Sequence, residues 1–167
     1  MKIDKKRLTF FVVSCMIIFL IELQANGKLG LDAVEGFNRD LKNYNAKLQI
    51  FDRDSKKIAS FKIATARTEE EKMYGLMNLD KLPKDHGMLF FFRETQVVMM
   101  WMKNTKIPLD IIFIDADNEI ASIAENTKPY SLDLISSQRE IKYALEINAG
   151  LVKELGIEVR QKVQILN

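Results

Sequence analysis

The sequence of 167 residues holds a single cysteine and a single histidine, and both shortages narrow the chemistry open to the protein. Cys15 lies within an apolar run near the N-terminus, so the remainder of the chain has no thiol for an internal disulfide, a metal site or nucleophilic catalysis. His86 has no second histidine in the chain, which disfavours a catalytic zinc site and the usual Ser-His-Asp and Cys-His arrangements. We therefore expect neither a metal nor a cofactor.

Most of the chain has nearly equal numbers of basic and acidic residues, because the formal net charge of +2 is concentrated at the N-terminus. Residues 1–30 carry five basic and two acidic side chains, whereas the remainder carries 20 and 21. Proteins that bind nucleic acid display basic patches that displace phosphate counterions, and a near-neutral body offers none. We expect no nucleic-acid partner.

No uncharged apolar run reaches the length of about 18 residues that a membrane-spanning helix requires. The longest, Leu8–Ile21, has fourteen residues and follows the basic segment Met1–Arg7. This order is typical of a secretory signal, and the basic flank keeps the N-terminus in the cytoplasm. We expect residues 1–25 to be a signal peptide or an uncleaved membrane anchor. The rest would then be exported, periplasmic or otherwise extracytoplasmic, and either free or tethered to the inner membrane.

The remaining chain divides into a linker, residues 26–44, and one domain, residues 45–167. Glycine and asparagine interrupt any period in the linker. In the domain, Thr68 and Glu71 form a capping-box pattern that begins a short helix, and a second helix is expected over Ala149–Leu155. The patterns predict a mainly β fold, a compact antiparallel β-sandwich or partly open barrel with one or two short helices. The predicted strands are Ala46–Ile50, Ile58–Ala66, Met88–Phe92, Val97–Met102, Leu109–Asp115, Glu119–Ala124, Ile141–Ile147 and Val159–Leu166.

Polar residues follow the very apolar strand Val97–Met102, which contains the only tryptophan, Trp101. Lys103 and Asn104 come directly after it, and the next strand opens with Asp110. The short connection suggests a hairpin that brings Lys103 close to Asp110. One interpretation is a structural clamp, with Lys103 paired to Asp110 and Asn104 bonded to the turn backbone. The other is a binding cleft in which Trp101 offers a flat apolar face.

Two further chemistries remain open. Glu146 is a lone acid in an apolar strand, and together with Asp110 it would supply the two carboxylates of an acid–base hydrolase. The methionines offer thioethers that suit Cu(I), although methionine is also ordinary core filler and we favour that interpretation. They are Met73, Met77, Met88, Met99, Met100 and Met102.

Four blocks of the domain form a distinctive pattern. They are Glu71-Lys72-x-x-Gly75-Leu76-Met77, Gly87-Met88-Leu89-Phe90-x-Phe92, Trp101-Met102-Lys103-Asn104-Thr105-x-Ile107-Pro108-Leu109-Asp110-Ile111-Ile112-Phe113-Ile114-Asp115 and Leu145-Glu146-x-x-Ala149-Gly150. In these blocks the chain resembles the DUF192 family, also called UPF0127, of bacteria and archaea. The resemblance implies a compact, mostly β domain that frequently follows a signal or lipoprotein segment, and it implies no established activity.

Three positions depart from the family pattern. Lys72 stands where arginine is usual, Asn118 where the turn usually has glycine, and Arg160–Val163 replaces the usual Gly-Asp-x-Val turn. The last change removes an acid from that turn, whereas the block from Trp101 to Asp110 is intact.

The leading hypothesis is an exported binding module for a small polar or glycan-like ligand. Its site residues would be Trp101, Lys103, Asn104, Asp110 and Glu146, with no catalytic residue assigned. One alternative is an envelope hydrolase that uses Asp110 and Glu146 as acid and base. Another is a structural or assembly factor of the cell envelope, which would present a flat apolar patch instead of a polar cleft.

Overall fold

The structure is a computed structural model and describes residues 44–166. The expected signal or anchor segment, residues 1–25, and all of the linker except Tyr44 lie outside these residues. Within the described part of the chain, no helix has the length and apolarity needed to cross a membrane.

Seven strands and two short helices make up this part of the chain, which confirms the predicted mainly β fold. The elements are β1 (Ala46–Phe51), β2 (Lys57–Ala66), α1 (Glu69–Tyr74), β3 (His86–Met100), β4 (Leu109–Ile114), β5 (Ile120–Ala124), β6 (Ile135–Asn148), α2 (Leu151–Leu155) and β7 (Lys162–Leu166). All strands belong to one curled sheet that forms a half-barrel, in the order β5-β4-β6-β3-β2-β1-β7. Every neighbouring pair is antiparallel except β2 and β3, which run parallel and are joined through α1.

Strand β6 lies between β3 and β4, so the predicted hairpin between those two strands is wrong. The two strands predicted at Met88–Phe92 and Val97–Met102 are in fact one strand, β3, that ends at Met100. Register shifts against β6, between Phe91 and Gln96 and again between Val97 and Met99, interrupt its periodicity. Such irregularities bend a strand, which explains why its sequence resembles two separate strands.

The interior of the half-barrel is filled by buried apolar side chains from every strand and from α2. They are Leu48, Ile50, Ala59, Phe61, Ile63, Leu89, Ile112, Ile114, Ile120, Leu145, Ile147, Leu151, Val152, Ile157 and Val163. The two edge strands meet at one end, where Glu119 bridges to Lys162 and the Val163 N–H donates to the Asn118 carbonyl. The curled sheet is therefore held closed along part of its seam.

A second buried layer lies on the opposite side of the sheet, which we call the outer face. Successive residues of a strand point to opposite sides, so Glu146 points outward where its neighbours Leu145 and Ile147 point into the interior. The α1 helix begins with the predicted capping box, in which Thr68 accepts from the Glu71 N–H and the Glu71 carboxylate accepts from the Thr68 N–H. The helix ends at Tyr74 and is capped by Gly75, which lies over the outer face.

Candidate functional site

Glu146 occupies the middle of the outer face. It stands directly opposite Met88 of β3 on one side and Ile111 of β4 on the other. Its neighbour on the same face, Ala144, pairs with Phe90 and Phe113. A single carboxyl group is therefore surrounded by apolar side chains from three adjacent strands.

Burial controls the protonation of this carboxyl group. Glu146 is 5% exposed, and removal from water raises the pKa of its side chain to about 8. No side chain or N–H of residues 44–166 donates a hydrogen bond to it, so nothing offsets the cost of a buried negative charge. At neutral pH the group is predominantly a neutral acid that offers one O–H donor and one carbonyl acceptor.

The connection between β3 and β4, residues 101–108, is called here the crossover. Because β3 and β4 run in the same direction on either side of β6, the crossover must pass over β6 on one face of the sheet. A Cβ at Gly75 would lie 3.2 Å from the ring of Phe90, which points outward. Asn78 follows Gly75 closely along the chain, and its N–H donates to the Asn104 carbonyl at 2.9 Å. The crossover therefore lies on the outer face, the same face as Glu146.

Three of the predicted site residues belong to the crossover. Trp101 and Lys103 are each half-buried, and the Lys103 Nζ atom lies 5.1 Å from the centroid of the Trp101 ring. Asn104 has a φ of 55°, in a turn closed by the Thr105 N–H donating to the Met102 carbonyl. Asparagine tolerates this left-handed conformation better than most residues, so Asn104 serves primarily to shape the turn.

Asp110, by contrast, lies on the interior face, opposite Ile147 of β6. Its side chain is fully buried, and each carboxylate oxygen accepts one backbone hydrogen bond. Oδ1 accepts from the Asn126 N–H at 2.8 Å, and Oδ2 accepts from the Val152 N–H at 3.0 Å. The predicted pairing with Lys103 is wrong, because Asp110 is held by backbone groups of two other segments.

The structure thus places four of the five predicted residues on the outer side of the sheet and the fifth on its interior side. Trp101, Lys103, Asn104 and Glu146 share the outer face, whereas Asp110 lies behind the sheet. Asp110 and Glu146 consequently cannot flank one bond of a substrate, which the paired-carboxylate mechanism requires.

One contact residue of the crossover escaped the sequence analysis. The Thr127 hydroxyl lies 2.9 Å from the Leu109 carbonyl and 3.2 Å from the Met102 sulfur, and it accepts from the Leu109 N–H. Met102 and Met88 are fully buried, so their thioethers belong to the packed layers rather than to an exposed metal site. A single threonine in a loop carries no sequence pattern that would have revealed this role.

Known proteins provide the comparison for this geometry. The model of the DUF192 family, described as "Uncharacterized ACR", matches residues 50–165. A crystal structure from Sinorhizobium meliloti 1021, described as a "putative transcription regulator", is 38% identical with a TM-score of 0.69, and the match covers 71% of this chain and 92% of that chain. Another, a protein of unknown function from Novosphingobium aromaticivorans DSM 12444, is 34% identical with a TM-score of 0.67, covering 71% and 83%. No curated protein matches the chain. The extent of the family match, over residues that include Glu146 and the whole crossover, shows that the chain belongs to the DUF192 family.

Proposed function

We propose that the protein is an exported binding module for a small polar, glycan-like ligand, which it holds on the outer face between β6 and the crossover. The observation that supports this most directly is the Glu146 carboxyl group, which is 5% exposed and receives no hydrogen bond from residues 44–166. The fully buried side-chain nitrogen and oxygen atoms in this part of the chain all have hydrogen-bond partners. The Glu146 carboxyl group, which has no such partner among these residues, therefore keeps a small solvent-exposed area. A ligand that reaches this area would accept from its O–H group and donate to its carbonyl oxygen.

The chemistry of the surroundings favours a neutral ligand rich in hydroxyl or amide groups. A protonated acid donates and accepts at once, which matches a hydroxyl pair or an amide. The Trp101 ring offers the apolar, flat surface on which sugar rings stack, and its only neighbouring charge, among the contacts described above, is Lys103. The N-terminal residues 1–25 support an extracytoplasmic location by their sequence pattern alone.

The single tryptophan makes the proposal directly testable. Titration of the full-length protein at pH 7 with a panel of mono- and disaccharides should change the Trp101 emission in a saturable manner. Glu146→Gln, an isosteric mimic of the protonated acid, should bind at pH 7 with an affinity within a few-fold of wild type. Glu146→Leu should lose binding by roughly tenfold or more, because a buried hydrogen bond to ligand is removed. Glu140→Gln, on the exposed part of the same strand, is the matched control.

The pH dependence adds a second criterion. Wild-type binding of a neutral ligand should weaken above pH 8, as Glu146 ionises, whereas Glu146→Gln should be insensitive. If Glu146→Leu bound a responding sugar as well as wild type does, a site at this residue would be excluded.

A specific surface feature favours one alternative, an assembly factor of the cell envelope. Tyr130, Leu132 and Leu134 are 60%, 65% and 53% exposed, although they lie on one short loop. The loop is fixed to the crossover, since the Tyr130 N–H donates to Thr105 and the Met102 N–H to Ser131. A photo-crosslinking residue at position 132 should then yield one discrete protein adduct in cells. The same residue at the exposed position of Glu140 serves as control, and equal labelling at both positions would rule the assembly role out.

A further inference from the structure

An open cleft lies at the turn between β1 and β2 and the start of β7, and none of its lining residues belongs to β6 or the crossover. Its volume is about 550 Å³, and its lining residues are Phe51, Asp52, Arg53, Ser55, Arg160 and Lys162. Three of these six side chains are cationic and one is acidic. Phe51, which is half-buried, supplies the apolar part of the wall.

The only acidic residue of the lining, Asp52, already accepts hydrogen bonds from its own turn. Asp52 Oδ1 accepts from the Asp54 N–H at 3.0 Å and from the Lys56 N–H at 2.9 Å, which fixes the loop that carries Arg53 and Ser55. A carboxylate that already accepts two backbone hydrogen bonds competes less strongly for cations in the cleft.

Two of the cations have acidic partners at the rim, and these partners position them. Arg53 lies 3.8 Å from the Glu158 carboxylate, with both side chains about 70% exposed, so the pair is weak. Lys162 forms a 2.9 Å ion pair with Glu119, and the pKa of Glu119 is lowered chiefly by that lysine and to a smaller extent by Arg160.

Arg160 differs from the other two cations, because it forms no ion pair with any carboxylate of residues 44–166. It also has a φ of 71°, a left-handed conformation that costs a residue with a Cβ about 1–2 kcal/mol. The adjacent Gln161 is 5% exposed and holds this loop by accepting from the Glu158 N–H and donating to the Gly156 carbonyl. An arginine is thus kept at a position that glycine would occupy without strain.

The geometry points to an anion site in this cleft, with Arg160 as its principal ligand and a phosphate group as the chemistry it takes. Guanidinium groups match the oxygens of phosphate in a two-point hydrogen-bonded arrangement, and Lys162 and Arg53, each paired with a carboxylate at the rim, add further N–H donors to the same lining. The strain at Arg160 is the expected cost of placing a binding group where the backbone alone would favour glycine. The phosphate belongs either to a soluble compound or to the headgroup of an anionic lipid.

Arg160→Gly gives the sharpest test, because it should raise the stability of the protein while it weakens phosphate binding. Inorganic phosphate titrated into the full-length protein at low salt should bind saturably, as measured by calorimetry. Arg160→Gly should bind roughly tenfold more weakly, through loss of a charge-assisted bidentate contact, and should unfold at a higher temperature than wild type. Arg139→Gln, an exposed arginine of β6 outside the cleft, should change neither quantity.

Vesicles separate the two sources of phosphate. If a lipid headgroup is the ligand, sedimentation with phosphatidylglycerol vesicles should fall in Arg160→Gly relative to Arg139→Gln, while phosphatidylcholine vesicles show no such difference. If both variants sediment alike while inorganic phosphate still distinguishes them, the ligand is a soluble phosphate compound. The site does not exist if neither phosphate nor vesicles distinguish Arg160→Gly from Arg139→Gln.

Discussion

Asp110 and Lys103 should behave as energetically independent residues, although the sequence places them like the two halves of a clamp. Asp110 is fully buried, and its carboxylate holds the backbone N–H groups of Asn126 and Val152. Asp110→Asn keeps one acceptor oxygen and turns an NH₂ group towards the other donor. The expected cost is the loss of one hydrogen bond to a charged acceptor, about 1.5–3 kcal/mol of unfolding free energy.

Asp110→Ala removes both acceptors and leaves two N–H groups unsatisfied, one of them buried. The expected cost is therefore about 3–5 kcal/mol, roughly twice that of the asparagine variant. The measurement is urea unfolding of the full-length protein at pH 7. The two single variants are compared with one shared value for the dependence of the unfolding free energy on urea concentration.

The decisive quantity is the coupling energy in the cycle of Lys103→Met, Asp110→Asn and the double variant. Since the partners of Asp110 are backbone groups, the two changes should add to within about 0.5 kcal/mol, whatever Lys103→Met does alone. A double variant more stable than Asp110→Asn by about 1 kcal/mol beyond the Lys103→Met effect would reveal a direct pair and refute the arrangement described here.

Five other substitutions, at four positions, test the burial of Glu146 and the backbone conformation at three further residues. Because burial raises the pKa of Glu146 to about 8, from about 4.3 in an unfolded chain, its contribution to stability is complete below about pH 4 and is lost as pH rises towards 8. Urea unfolding between pH 5 and 8 should show this loss, up to about 1.4 kcal/mol per pH unit, in wild type and not in Glu146→Gln. Gly87→Ala places a Cβ 2.7 Å from the Glu146 carbonyl oxygen and should cost about 3 kcal/mol. Gly150→Ala, with φ at +86° and no atom within 4 Å, should cost only about 1 kcal/mol, and equal losses would contradict the predicted clash. Asn104→Gly should leave the melting temperature nearly unchanged, whereas Asn104→Val should cost about 2 kcal/mol because of its left-handed φ.

Local sequence patterns were sufficient for most of the elements and insufficient for their pairing. The capping box at Thr68 and Glu71 correctly starts α1, and the apolar runs locate every strand except β3, which they divide in two, because both signals depend on residues a few positions apart. The hairpin prediction failed at Met100, where β3 ends and the chain passes over β6. The strand that lies between β3 and β4 is β6, which begins only at Ile135. No sequence pattern near Met100 indicates that so distant a strand pairs with β3.

The candidate site was predicted only in part, because local patterns do not show which segments the sheet brings together. Glu146 was identified as a lone acid in an apolar strand, but both faces of that strand are covered, so alternation could not decide which way the side chain points. Asp110 was assigned to the site because it follows Lys103 closely along the chain. Its true partners, Asn126 and Val152, lie in segments that only the complete sheet brings together.

The insertion of β6 between β3 and β4 determines when a nascent chain can fold. A polypeptide that emerges N-terminus first from a ribosome presents β3 and β4 well before β6, the strand that pairs with both. The first strand, β1, gains its second neighbouring strand later still, because that neighbour is β7, the last strand of the sheet. The pairings of β6 with β3 and β4 join residues about 30 to 60 positions apart, so the sheet should form slowly and be completed only after Asn148 is free. A topology of this kind should delay closure of the sheet until the last strands have been made.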